Sequence, residues 1–337
     1  MGKAKYIMRV VSGVRVKKMF AAIDAVHEKS GQNKIYTFFD MLRCAPKYGA
    51  GYYDYLHFGF YDLNAAQRET FMTRVKNKKL IMLLNDQSYS HVFSNKAEFD
   101  EIFKAYLHRG CLDMSKTDYN TFVKFMEDKE IVFAKPVKGE SGKGIERLKK
   151  SDFDSLSSMY DYASDEKFGL IEEQIVQHPA LSAVYPNAIN SYRIVTLVSD
   201  GVAHCVYAAA KFGNGGKFVD NISSGGLCCP INIETGKLRG PAHTRTLATP
   251  DRHPDSGIVF EGYELPYVKE AVDMCLKAAL EVEQIKYVGW DVFVAPDGPG
   301  IIEGNDYPGC YDFCQLPEHT PDKTGLMPYL KTLVKGL

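Results

Sequence analysis

The chain has no uninterrupted apolar run of about 20 residues, the length a membrane-spanning helix needs, so no transmembrane segment is expected. It has almost no net charge. Its 41 Lys and Arg against 42 Asp and Glu leave −1. That balance excludes a global positive field for nucleic acid, and no nucleic-acid partner is expected. Cysteine is present eight times, at 44, 111, 205, 228, 229, 275, 310 and 314, but never as C-x-x-C. Zinc spacings are therefore missing, and adjacent Cys228 and Cys229 are poorly placed to bridge each other. Small buried thiols in a reducing, cytoplasmic setting are the expected reading. The N-terminus, MGKAKYIMRVVSGVRVKKMF, lacks the apolar region and the cleavage site of a signal peptide. Gly2 is present, but the sixth position is Tyr6, where myristoylation calls for Ser or Thr. A basic amphipathic first helix touching a membrane is one reading of this segment. A solvated charged face is the commoner reason for such a run.

What is present is ordinary globular material: 337 residues, 45% hydrophobic and 25% charged. Domains of about 100–200 residues imply two or three here. No internal repeat or low-complexity linker divides them. Residues 1–90 read as a helical or mixed region, with helices over 15–30 and 64–79. The second opens on the capping residue Asn64. Residues 95–109 form a further helical pattern with Phe99, Ile102, Phe103 and Tyr106 on one face. From 131 the texture turns to strands: IVFAKPV, FGLIEEQIV, SYRIVTLVSDG, AHCVYAAAKF, WDVFVA and GIIEGN. Turns at SDG, ETGK and PDGPG separate several of them. One helix intrudes over ELPYVKEAVDMCLKAALEVEQI. Hairpins and helices mixed in this way predict an α+β protein.

Two stretches carry chemistry. GWDVFVAPDGPGIIEGN, residues 289–305, reads as a hairpin. With period-two alternation and a turn near Asp297 and Gly298, Asp291 falls almost opposite Asn305, with Glu303 beside it. Two carboxylates and an amide oxygen are hard ligands suited to Mg²⁺. The alternative is a polar edge strand facing water. FAKPVKGESGKGIERL, residues 133–148, delivers Lys135 to a glycine-rich turn. Glycines let backbone N–H groups approach phosphate, and lysine adds a point charge. The spacing fits neither a Walker A loop, since Val137 stands at the first Gly position, nor a dinucleotide fingerprint, since Arg147 stands at the last. A hairpin tip with solvated lysines is the alternative.

Taken together, Lys-Pro with a glycine-rich hairpin, an acidic hinge and Asp…Glu-x-Asn resemble the ATP-grasp superfamily. Asp291 and Glu303 lie 12 residues apart, a separation typical of it. SNKAEF, IEEQIVQHPAL, NSYRIVTLV, VDNISSGGL and ETGKL resemble the sugar-transfer-associated ATP-grasp family, in order from about 90 to 310. The resemblance implies two α+β subdomains gripping ATP, over 91–190 for the nucleotide and 191–337 for metal and catalysis, after a mostly helical N-terminal region. It implies ATP and one or two Mg²⁺. Lys96 and Lys135 would bind the nucleotide, with Gly139, Ser141, Gly142 and Gly144 in the phosphate loop. Glu172 and Ile175 would form the adenine hinge, with Glu173 and His178 near adenine or ribose. Asp291, Glu303 and Asn305 would hold the metal. Arg193 and Lys211 would stabilise the transferring phosphoryl group, although Lys211 stands where the family more often has arginine. Asp220 and Asn221 would read substrate.

The implied reaction is ATP-dependent ligation of a small carboxylate to an amine through an acylphosphate, in polysaccharide or surface-glycan modification. An amino acid and a uronic acid or amino sugar are the expected substrate types. Positioning and charge stabilisation dominate such chemistry, so neither the cysteines nor Ser141 is expected to act as a nucleophile. A small-molecule kinase and a nucleotide-binding scaffold of a glycan assembly are the alternatives. A homodimer is the default oligomer.

Overall fold

The computed structural model describes residues 16–137, 144–165 and 168–337. Two compact units emerge: the chain up to Leu80 together with Gln315–Leu337, and Ile81–Cys314. Among the described residues no helix is long and apolar enough to cross a membrane.

The first unit is helical. Helix α1 spans Val16–Ser30, matching the expected segment, and α2 spans Lys34–Tyr48. Asn33 starts α2 by accepting hydrogen bonds from the Ile35 and Tyr36 amides, and Gly49, at φ 66°, ends it. The buried face of α2 carries Asp40, which takes the Arg68 guanidinium at 2.7 Å and the Tyr55 hydroxyl at 2.8 Å. The helix expected over 64–79 is two helices, α3 over Ala65–Glu69 and α4 over Arg74–Leu84. Asn64 caps α3 as expected, in a reciprocal box with Gln67. The break follows from Gln315, which accepts from the Met72 amide at 2.8 Å and donates to its carbonyl at 3.1 Å. With Phe71 and Met72 buried, these bonds satisfy the backbone outside a helix.

The second unit holds two antiparallel sheets. Ahead of them lie α5, Lys96–Ile102, and α6, Lys104–Leu107, where one helix over 95–109 is expected. His108 turns the chain at φ 47°. Phe99 and Phe103 are buried, whereas Ile102 points outward at 37% exposure, so the expected apolar face is narrower. The smaller sheet has β1 (Cys111–Asp113), β2 (Ile131–Lys135), β3 (Glu146–Lys149) and β4 (Leu170–Glu173), in the order β1-β4-β2-β3. Helices α7, Tyr119–Met126, and α8, Leu156–Ala163, are amphipathic. Phe122, Met126 and Met159 pack with Val132, Ala134 and Ile171 on one sheet face. Alternation therefore turns Lys135 and Glu172 to the other face.

The larger sheet runs β10-β9-β5-β6-β7-β8. Its strands are β5 (Ser191–Ser199), β6 (Val202–Phe212), β7 (Leu227–Asn232), β8 (Lys237–Leu238), β9 (Tyr287–Ala295) and β10 (Gly298–Asn305). Helix α9, Val268–Ala278, supplies Ala271, Cys275 and Ala278 to a core with Ile194, Ala208, Ala210 and Val292. Arg193, Lys211 and Asp291 have the opposite parity and so line the opposite face. An α+β architecture with a helical N-terminal region, as expected, is what these elements build.

Candidate functional site

One hairpin and its neighbours build the first half of the site. Strands β9 and β10 turn through Pro296 and Asp297, with Gly298 at φ 145°. Asp291 pairs with Glu303, not Asn305, and Asn305 pairs with Gly289. The turn lies one residue earlier than expected, which alone would set Asp291 opposite Ile302; the bulge after Ile301 brings Glu303 to that position instead. The consequence is closer: two carboxylates face each other across one ladder position. On the other side of β9, Arg193 pairs with Asp291. Its guanidinium grips the carboxylate at 2.6 and 3.0 Å. Lys211, buried on β6, reaches the same Asp291 at 3.0 Å and Asp220 at 3.8 Å. Asp220 also accepts from the Ser191 amide at 3.1 Å and hydroxyl at 2.5 Å.

The electrostatics separate the two acids. Burial works against ionisation of Asp291, but Arg193 and Lys211 outweigh it and hold its pKa at about 2. Glu303 keeps an exposed side, yet partial desolvation beside the cluster raises it above the usual carboxylate range, and the Asp291 charge adds to that rise. Lys211, Arg193 and Lys96 oppose it only in part. A like-charged pair facing one polar wall favours a further cation.

The smaller sheet builds the second half. Glu172 is 4% exposed and accepts from Arg109 at 3.0 Å and Lys135 at 2.5 Å. Burial opposes its charge, yet those two cations lower its pKa to about 2. The Glu172 side chain thus holds Lys135 in place. Glu173 sits beside it, and its carboxylate accepts from the Gly110 amide at 2.9 Å. Asp100, Cys111 and Glu172 bring ligand atoms within 4.8 Å of one another. The Cys111 thiol donates to Asp100 at 2.8 Å, and the cations already neutralise Glu172. That cluster is a hydrogen-bonded strut, not a metal centre.

Residues 107–110 connect the halves, a link that sequence reasoning missed. Arg109, 3% exposed along its side chain, donates to the Ile301 carbonyl at 2.5 Å and to Ile302 at 3.4 Å while holding Glu172. It thereby fixes the bulge that sets Glu303 against Asp291. His108 adds a 2.5 Å hydrogen bond with the Pro299 carbonyl. A buried arginine two residues before a strand carries no distinctive sequence pattern. The Cys228 thiol hydrogen-bonds Cys310, and against the effect of burial this bond, with Arg193 and Lys211, lowers the Cys310 pKa. All eight cysteines are free thiols.

The remaining expected residues fall as follows. Lys96 opens α5, with its amide donating to the Val137 carbonyl at 3.2 Å. Burial lowers its pKa, and Glu303 is the leading charge opposing that fall. Lys96 thus lies near both halves. Asn305 donates to the Gly289 carbonyl at 3.4 Å. Ile175 is half-buried in the loop after β4. The His178 amide donates to the Val294 carbonyl of β9 at 2.8 Å. The His178 Nδ1 accepts from the Ala180 amide at 3.1 Å and caps the helix Pro179–Val184. Asn221 opens a short turn whose Ser224 and Gly226 amides donate to its carbonyl. Gly144 has φ 77°. Gly139, Ser141 and Gly142 lie outside the described residues, as do the N-terminal Gly2 and the rest of residues 1–15.

The donor set fits Mg²⁺. Asp291, Glu303 and Asn305 offer two carboxylates and an amide oxygen on two adjacent strands, the oxygen donors a hard cation takes.

The family model described as sugar-transfer associated ATP-grasp matches residues 67–334. The chain belongs to that family. Solved structures that resemble this member of the family include the ATP-grasp ligase PsnB complexed with minimal precursor, at 14% identity and a TM-score of 0.44. That similarity covers 74% of this chain and 62% of that one, so the chain spans about three fifths of PsnB's length. D-alanyl-alanine synthetase A from Vibrio cholerae O1 is 12% identical at TM-score 0.39, over 72% of this chain and 61% of that one. D-cycloserine synthetase DcsG is 10% identical at TM-score 0.40, over 77% and 76%. No curated protein matches the chain.

Proposed function

We propose that this ATP-grasp protein is an ADP-forming carboxylate–amine ligase acting on small molecules, with a sugar acid, an amino sugar or an amino acid among its substrates. The observation that carries the reading is the Asp291–Glu303 pair, set against Arg193, Lys211 and Lys96 and linked through Arg109 to Lys135. The printed description of the family is the support for a role in glycan modification.

In this reading, Lys135 and Lys96 bind phosphate oxygens, and Glu172 keeps Lys135 extended toward them. The loop that includes Gly139, Ser141, Gly142 and Gly144 covers the phosphates. Backbone groups around Glu172, Glu173 and Ile175 face adenine, with His178 toward the ribose side. Asp291, Glu303 and Asn305 would hold Mg²⁺, which neutralises charge on the phosphates. Arg193 and Lys211 sit where negative charge grows as the γ-phosphoryl group leaves ADP for a substrate carboxylate oxygen. The acylphosphate is then attacked by the amine; the C–N bond forms, the C–O bond to phosphate breaks, and phosphate leaves. Asp220 and Asn221 lie on the Lys211 side, where a substrate amine or hydroxyl would be read.

Calorimetry tests the first half of this reading. A non-hydrolysable ATP analogue titrated with Mg²⁺ should bind wild type and fail to bind Lys135→Ala and Glu303→Ala. ADP release with uronic acids, amino sugars and amino acids tests the second. Wild type without Mg²⁺-dependent nucleotide binding would refute the site; binding with a stable phosphorylated product and no amide would refute the ligase.

A further inference from the structure

Helix α2 is apolar on both sides. Thr37, Asp40, Met41, Cys44 and Tyr48 face the unit's interior. On the outer side, Ile35 is 70% exposed, Tyr36 61%, Phe39 63% and Leu42 44%. Ile35, Phe39 and Leu42 follow i, i+4, i+7 spacing, which makes a continuous stripe. Val16 and Phe20 on α1 and Tyr53 nearby in sequence are also at least half exposed. Single exposed apolar residues are ordinary, but a stripe along one helix marks a surface that something covers.

The charge pattern says what covers it. Residues 16–50 hold 6 Lys and Arg against 3 Asp and Glu, a local +3 in a chain of net −1. One of the three acids, Asp40, is buried against Arg68. Arg43 and Lys47, both exposed, continue the helix edge from Phe39 and Tyr36 at steps of four and seven residues. Lys34 flanks the other edge, paired with Asp24 at 2.8 Å. Lysine is depleted in protein–protein interfaces. Aromatic and aliphatic side chains with Lys and Arg at the margin are what an interfacial helix lays on anionic lipid. Their stems reach along the apolar stripe while the charges meet headgroups. The stripe also lies outside the family match, which begins at residue 67.

We propose that the outer face of α2, through Ile35, Tyr36, Phe39 and Leu42 with Arg43 and Lys47, docks this protein on an anionic membrane surface. The inference does not rest on the ligase reading.

Vesicle co-sedimentation of the full chain tests it. The protein should pellet with phosphatidylcholine–phosphatidylglycerol vesicles and not with phosphatidylcholine alone. Pelleting should weaken as salt rises from roughly 0.1 to 0.5 M, because screening shortens the reach of the charges. The double variant Ile35→Ser/Phe39→Ser should bind at least about tenfold more weakly, since two exposed anchors are lost. Arg43→Glu/Lys47→Glu should lose the preference for anionic lipid. All four side chains are exposed, so helix content by circular dichroism should not change. Sedimentation velocity without lipid supplies the second measurement. Wild type that ignores anionic vesicles overturns the proposal. So does vesicle binding indifferent to Ile35→Ser/Phe39→Ser. A concentration-dependent dimer dissolved by that variant would assign the face to a second copy and overturn it too.

Discussion

Two charge clusters in the second unit use nearly the same ingredients differently. On the smaller sheet one acid, Glu172, sits between two cations, Arg109 and Lys135. On the larger sheet two cations, Arg193 and Lys211, share Asp291, but a second acid, Glu303, occupies the facing position. Glu172 and Asp291 both hold pKa values of about 2, whereas Glu303 is raised. One extra carboxylate changes the chemistry. The first cluster is closed and positions a lysine. The second adds a carboxylate, Glu303, opposite Asp291, and oxygens brought together in this way are what a hard cation would take.

The sharpest break of that contrast is Asp291→Ala. It leaves Arg193 and Lys211 buried without their main partner, a loss of about 3–5 kcal/mol for a broken buried pair. Mg²⁺-dependent nucleotide binding should vanish with it. Trp290 is the chain's one tryptophan and is fully buried beside this site, so its fluorescence in urea reports this unit. A variant as stable as wild type would show that the cations find Glu303 and Asp220 instead.

Glu172→Gln probes the closed cluster through pH. The folded pKa of about 2 lies below the ordinary 4.5. The charged pair therefore stabilises fully above about pH 4.5 and fades as pH falls toward 2. Wild type should exceed the variant by on the order of 3 kcal/mol at pH 7, narrowing toward zero near pH 2. Urea midpoints at pH 7 and pH 3, read from Trp290, would measure the gap. A gap independent of pH would mean that the carboxylate charge is not what holds Lys135.

Much of this arrangement is legible in residues close together in sequence. Hairpin alternation pairs Asp291 with Phe293 and Glu303 with Asn305 on shared faces of their own strands, but it is the bulge after Ile301 that brings Glu303 opposite Asp291. Asn64 announces its helix through local capping chemistry. The Ile301–Glu303 bulge, the break at Met72 and the two short helices over 96–107 are not legible in that way. Each depends on a partner distant in sequence: Arg109 for the bulge, Gln315 for the break, Trp290 for Phe103. The exposed stripe on α2 escapes for a different reason. No helix is expected over 34–48, where α2 forms, and helical periodicity would in any case not say which of two apolar faces the fold covers.

The finest test separates charge from geometry at the junction of the clusters. Arg109→Lys keeps a cation beside Glu172 but loses the fork that also holds the Ile301 and Ile302 carbonyls. Those carbonyls mark the bulge that presents Glu303. Stability should fall by only about 1–2 kcal/mol, the cost of unsatisfied buried acceptors. Nucleotide binding should then depend more steeply on Mg²⁺ concentration, with affinity recovered at saturating Mg²⁺, because Glu303 is misplaced rather than missing. Titrations of the ATP analogue across a Mg²⁺ series would show the shift. If Arg109→Lys and wild type share one Mg²⁺ dependence, Arg109 stabilises the smaller sheet alone and the two clusters work independently.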